Sequence, residues 1–367
     1  MISRQPYRDP HIGAALLKKM AERLGDRPQT ITLMEVCGTH TMAIYRAGIR
    51  ALLPPQVRLI SGPGCPVCVT PIEDIDRAIA LTRRPDTLIA TFGDMMRVPG
   101  SHSSLQREKA TGANVRIVYS PLDALKLAKN HPDKTVIFLG IGFETTAPAV
   151  AGSLLEARRQ GVKNYQVLCS HKTMPAPMAE LASDPDLAID GFLCPAHVSA
   201  IIGAEAFRPL CEDHALPCAV TGFEPLDILQ GIDMLLDQVM TEQARIDNQY
   251  RRVVKPEGNR RARHILYQVF EPDLAVWRGL GPITNSGLRI REDFAEHDAV
   301  RQIPLQTAPA PEPTDCRCGD ILKGKTAPQH CPQFGASCTP ETPIGACMVS
   351  AEGSCAAAYK YDQKGIT

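Results

Sequence analysis

The chain has 367 residues, 44% hydrophobic and 22% charged, with 40 Lys and Arg against 40 Asp and Glu. Length and apolar content predict two or three folded domains and exclude a disordered chain. Balanced charge, a 5% aromatic share and a single tryptophan argue against nucleic acid and anionic membranes as partners, because those recruit clustered Lys and Arg and stacking rings.

Residues 1–26 carry charges on both sides of a short apolar patch, lack a signal-peptide core, and read as an N-terminal helical segment. The longest uncharged apolar run, Thr135 to Phe143, has strand length and falls short of the roughly 18 residues a membrane helix needs. The expected setting is the cytoplasm, where thirteen cysteines serve as metal ligands or redox thiols rather than as a disulfide framework.

From Thr30 to about Met240 one unit recurs: an apolar run, a Gly or Pro loop, then a helix-period segment. Such βα alternation predicts an α/β fold with parallel sheets covered by helices. The candidate strands are Thr30 to Val36, Val57 to Ser61, Thr87 to Phe92 and Val115 to Tyr119, then Lys134 to Phe143, Tyr165 to Cys169, Ile189 to Cys194 and Pro217 to Gly222. Taken in chain order they divide into two similar Rossmann-like lobes, 27–120 and 121–240, with a cleft between them. Thr70-Pro71-Ile72-Glu73 and Ser120-Pro121-Leu122-Asp123 each offer a hydroxyl N-cap followed by proline at the first helical position. Residues 241–315 read as a helical, arginine-rich connector ending in the proline-rich link Thr307 to Thr314. Residues 316–367 hold six cysteines and few large apolar side chains, so a metal cluster or cross-links must order them.

In open α/β sheets ligands bind beyond the carboxyl ends of the strands, and the unusual residues collect there. Cys37-Gly38-Thr39-His40 follows the first strand, Gly62 to Cys68 the second, Asp94 the third, Glu144 the fifth, His171 the sixth and Cys194-Pro195-Ala196-His197 the seventh. Cys37 precedes a helix whose positive end favours a thiolate, which makes it a candidate nucleophile or soft-metal ligand. Cys65-Pro66-Val67-Cys68 has the spacing of a redox dithiol; with Cys37 and His40 it also fits zinc. His197 is placed to donate a proton or to support a metal-bound thiolate. Cys169, Cys194, Cys211 and Cys218 lie in apolar sequence and read as core packing. In the last segment, Cys316, Cys318, Cys331, Cys338, Cys347 and Cys355 offer irregular Pro- and Gly-flanked loops suited to an iron–sulfur cluster, with zinc as the alternative and two thiols to spare as a redox pair.

The motifs Met34 to Thr41, Ser61 to Pro71, Thr91 to Gly100, Gly140 to Thr146, Pro195 to Ser199 and Cys331 to Cys355 together resemble the HypD family of hydrogenase formation proteins over nearly the full chain. The resemblance implies a [NiFe]-hydrogenase maturation factor: a scaffold, rather than a multiple-turnover enzyme, on which iron receives cyanide and carbon monoxide ligands. It implies a small HypC-type chaperone as partner, the HypE–HypF pair as cyanide donor, and the hydrogenase large subunit as indirect client. By the same resemblance Cys37 contacts the iron, Cys65 and Cys68 form an exchangeable dithiol, and a [4Fe–4S] cluster sits on Cys316, Cys331, Cys338 and Cys355, leaving Cys318 and Cys347 as a second pair. A stand-alone iron–sulfur thiol-disulfide oxidoreductase and a zinc-stabilised binding protein are the alternatives.

Overall fold

The structure, a computed structural model, describes residues 6–305 and 315–362; the proline-rich link lies outside the described residues. Two parallel sheets form the body. The first has the order β2-β1-β7-β8-β9, with β1 Ile31–Glu35, β2 Val57–Ser61, β7 Gly191–Cys194, β8 Cys218–Val220 and β9 Ile246–Asn248. The second has the order β4-β3-β5-β6, with β3 Thr87–Thr91, β4 Val115–Ile117, β5 Thr135–Gly142 and β6 Tyr165–His171. All eight strands expected from the sequence are present. β5 is buried at every residue after Thr135, as a strand covered by helices on both faces must be.

The division into lobes differs from the chain-order one. After β2 the chain leaves the first sheet, builds the second with β3 to β6, and returns to add β7, β8 and β9. The second lobe is therefore nested inside the first, and the boundary expected at residue 120 falls within one sheet. Apolar strands carry no local signal of which neighbour they will pair with. Both lobes nevertheless share one winding: a starting strand, its successor on one side, and the remaining strands on the other. This places a topological switch point between β1 and β7 in one lobe and between β3 and β5 in the other.

Segment 241–315 is not a helical connector. β9 completes the first sheet, and after the helix Arg260–Val269 the chain forms an antiparallel hairpin, β10 Phe270–Trp277 and β11 Gly281–Ile290. The signal was the alternation along β10, whose buried ends Phe270 and Trp277 flank residues of alternating exposure, and the Gly279 and Gly281 turn at positive φ. Trp277 is 1% exposed and stacks on Phe143 at 5.8 Å, so the hairpin is built into the core.

Of the two helix starts, Ser120 caps as expected by accepting from the Asp123 amide at 3.1 Å. Thr70 does not: its hydroxyl donates back to Pro66 O at 2.8 Å, and Pro71 becomes the cap of helix Ile72–Thr82. At the N-terminus, helix Pro10–Leu24 lies on helix Pro225–Thr241 through Gly13 and the ion pairs of Lys19 and Arg23 with Asp233. The cysteine-rich segment has no core of its own; its helix Ser354–Tyr361 packs on helix Gly38–Arg46.

Candidate functional site

Cys37 stands at the carboxyl end of β1, beside the first switch point, in extended conformation as the cap of helix Gly38–Arg46. Its amide donates to Glu35 Oε2 at 3.2 Å, and Thr41 Oγ1 donates to Glu35 Oε1 at 2.6 Å. Burial pushes the Glu35 carboxyl up to about 7. Burial, with the nearby Glu352 carboxylate adding to it, pushes the Cys37 thiol up to about 12. The dipole-stabilised thiolate expected from the helix start is thus outweighed by desolvation. A thiol that keeps its proton is a weak nucleophile at neutral pH.

The second motif is pressed against the first. Gly38 N donates to Gly64 O at 2.9 Å, and Gly62 N donates to Glu35 O at 2.7 Å. A Cβ on Gly64 would lie 2.2 Å from Cys37 N and 2.5 Å from its Cα, so only glycine permits this approach. Next to it, Cys65 caps the turn Pro66–Val69, and its Sγ accepts from Cys68 N at 3.2 Å. Cys65 and Cys68 are joined as a disulfide, which leaves neither available for zinc in this state.

The cysteine-rich segment is clamped at the second switch point. Ser350 Oγ donates to Asp94 Oδ2 at 3.0 Å, and Arg97 donates to Pro340 O and Val349 O at 2.8 and 3.2 Å. This brings Ala346 O within 3.9 Å of Cys68 Sγ. One residue on, Cys347 Sγ lies 2.9 Å from Cys318 Sγ. Cys318 also hydrogen-bonds to Cys316, and Cys347 to Cys355, so four thiols follow one another. Cys338 accepts from the Ile344 amide at 3.3 Å, and Cys331 is buried nearby in the same core cluster. Among the described residues, no three His, Cys, Asp or Glu side chains are gathered closely enough to form a ready metal site.

The histidines separate. His40 is buried, and its Nε2 donates to Thr221 O and Gly222 O at 3.1 and 3.0 Å, so it anchors the end of β8; burial lowers it to about 4. His197 is exposed and rests on Phe223 at 4.2 Å, while the His40 ring meets the same phenylalanine at 4.7 Å. Partial desolvation by its neighbours lowers the His197 pKa and Glu352 opposes this, so one carboxylate acts on both Cys37 and His197. Glu352 and Phe223 were missed from sequence. Glu352 lies within the run ending at Cys355, but nothing local to it indicates that it reaches Thr39, whose Oγ1 donates to Glu352 Oε1 at 2.6 Å. Cys194, Cys211 and Cys218 are core residues as expected. Cys169 is only half-buried: its thiol donates to Leu288 O at 3.1 Å and lies 3.4 Å from His171 Nδ1.

Comparison with known proteins accounts for this set of motifs. The HypD family model, described as "Hydrogenase formation hypA family", matches residues 12–362. The chain belongs to the HypD family. It is 45% identical over 365 residues to the hydrogenase maturation factor HypD of Rhodobacter capsulatus, covering 97% of each chain. Identity to the HypD of Azotobacter vinelandii is 46% over 368 residues, and to that of Escherichia coli strain K12 45% over 367 residues, in both cases 98% of this chain and 97% of the relative. Membership of a family of hydrogenase maturation factors fits a molecule whose special residues are thiols at strand ends. Among the described residues no helix is long and apolar enough to cross a membrane.

Proposed function

We infer that this HypD-family chain is a scaffold for assembling the iron moiety of [NiFe]-hydrogenases. The iron is cargo, captured by Cys37 and by a cysteine of a HypC-type chaperone, and it receives cyanide from a HypE–HypF pair together with carbon monoxide. The observation that carries this reading is the run of sulfur from the cysteine-rich segment to the β1 switch point: Cys316, Cys318, Cys347 and Cys355 in succession, Ala346 against Cys68, and the Cys65–Cys68 disulfide beside Cys37. Such an order suits a dithiol relay that delivers reducing equivalents to the captured metal.

A [4Fe–4S] cluster is the resident group that this reading assigns to the segment. The donor chemistry fits: Cys331, Cys338 and Cys355 are buried, Cys316 is half-buried, and a Cβ at Gly345 would meet Cys316 Sγ at 2.8 Å, so the backbone there wraps tightly around sulfur. Cys316, Cys331, Cys338 and Cys355 would hold the cluster, which when bound supplies one-electron redox chemistry. Cys318 and Cys347 would then be the dithiol that hands electrons on towards Cys65 and Cys68. Glu352, whose carboxylate acts on both Cys37 and His197, would take up the proton that the Cys37 thiol releases.

The test is iron and acid-labile sulfide content with an absorption spectrum on anaerobically purified protein, for the wild type and Cys37→Ala. About four irons and four sulfides per chain are expected in both, with hydrogenase maturation lost only in the variant. Loss of the spectrum in Cys37→Ala would refute the separation of cargo site from cluster. Multiple turnover of an external disulfide substrate would favour the oxidoreductase alternative instead.

A further inference from the structure

Away from the thiol line, a cavity of about 560 Å³ opens between the carboxyl end of β6, the start of helix Ile72–Thr82 and the outer face of the β10–β11 hairpin. That volume is in the range of small-molecule sites. Its inner wall carries Lys172, only 3% exposed. Among the described residues the Lys172 ammonium has no ion pair and a single long hydrogen bond, to Ser170 Oγ at 3.4 Å. The carboxylates around it are mostly committed elsewhere. Asp74 is held by Arg77 at 3.1 Å and by Ser170 at 2.5 Å, Asp298 by Arg301 at 3.3 Å, and Asp273 lies 4.0 Å from Arg289; Glu73 alone forms no ion pair among the described residues. Asp74 therefore acts on Lys172 only at a distance, through Ser170, and a buried cation with no counter-charge in contact is destabilising unless something supplies one. The outer rim has the opposite character: Leu274, Val276 and Val300 are 54%, 45% and 50% exposed, an apolar patch at the mouth of a charged cavity.

We propose that this cavity binds a small amphipathic metabolite whose oxyanion, a carboxylate or a phosphate ester, pairs with Lys172 and whose apolar part lies on Leu274, Val276 and Val300. The hairpin then acts as one wall of a ligand site, which accounts for exposed aliphatic side chains on a ribbon otherwise anchored by Trp277. The site is independent of the maturation chemistry: it contains none of the motif cysteines, and binding can be measured on protein without cargo.

Four probes with a shared scaffold decide it by calorimetry on the full chain: acetate, hexanoate, hexyl phosphate and 1-hexanol. Hexanoate or hexyl phosphate should bind, and whichever of the two binds identifies the oxyanion. Hexanol should not bind, and acetate should bind more weakly than hexanoate. Lys172→Met should weaken binding at least about tenfold, as expected for removing a buried charge partner. Leu274→Ser with Val276→Ser, at exposed positions that do not threaten folding, should narrow the difference between hexanoate and acetate. Bound probe should also slow alkylation of Cys169, which lines the cavity, by N-ethylmaleimide. Hexanol binding as well as hexanoate, no binding of either anion, unchanged affinity in folded Lys172→Met, or unprotected Cys169 would overturn the proposal.

Discussion

Thr39 Oγ1 donates to Glu352 Oε1 at 2.6 Å, joining residues 313 positions apart in sequence. The contact fastens the cysteine-rich segment to the turn that carries Cys37, and Gly38 lies flush against Glu352, where a Cβ would meet Glu352 Cβ at 2.5 Å. Glu352→Ala should cost about 1.5–3 kcal/mol, the usual value of a hydrogen bond to a charged acceptor. Glu352→Gln, which keeps an acceptor for Thr39, should recover most of that. Urea unfolding of the two variants against wild type provides the comparison.

Gly64→Ala should displace Cys37. The new Cβ meets the Val36–Cys37 backbone at 2.2 to 2.5 Å, and backbone cannot swing aside as the tip of a side chain can. A cost of about 1–3 kcal/mol is expected, together with loss of hydrogenase maturation in a complementation assay. Gly93→Ala, where nothing lies within 4 Å of the added atom, is the matched control and should be close to neutral in stability.

Glu144 gives the fold a pH dependence whose sign is set by burial. The carboxyl follows β5, accepts from the Met174 amide at 3.0 Å through Oε1, and leaves Oε2 buried without a partner. Burial raises it from 4.5 to about 7. The folded state therefore binds this proton more tightly than the unfolded chain does, so its contribution is complete below about pH 4.5 and is lost as pH rises through 7, by roughly 3 kcal/mol in all. Glu144→Gln stays neutral and keeps the acceptor. Relative to wild type it should gain stability between pH 5 and pH 8, which chemical denaturation at the two pH values measures. An unchanged difference would mean that Glu144 ionises freely.

Cys347 lies between a thiol and a disulfide: its Sγ is 2.9 Å from Cys318, and its preceding residue touches Cys68. With the proposed relay, Cys347→Ser should leave cluster absorption in place. It should also slow reduction of the Cys65–Cys68 disulfide by at least about tenfold after a reductant is added. Quenched alkylation with mass spectrometry at each cysteine follows the transfer. Equal rates in variant and wild type would show that electrons reach Cys65 and Cys68 by another route.

The sequence by itself determined the repeating units. Eight apolar runs became eight strands, Cys37, Asp94, Glu144, His171 and His197 fell at or just beyond strand ends, and the six late cysteines lay in a segment unable to make its own core. These properties are local: strand length, apolar runs and turn residues act over a few neighbours in the chain. Tertiary structure decided which units meet. Nesting β3 to β6 between β2 and β7 follows from pairing energies shared among similar strands, which no single strand records. Only the folded chain brings Glu352 to Thr39, Ala346 to Cys68 and Phe223 to both His40 and His197. Only burial, a property of the whole packed molecule, turns Cys37 from the thiolate that its helix position favours into a thiol that keeps its proton.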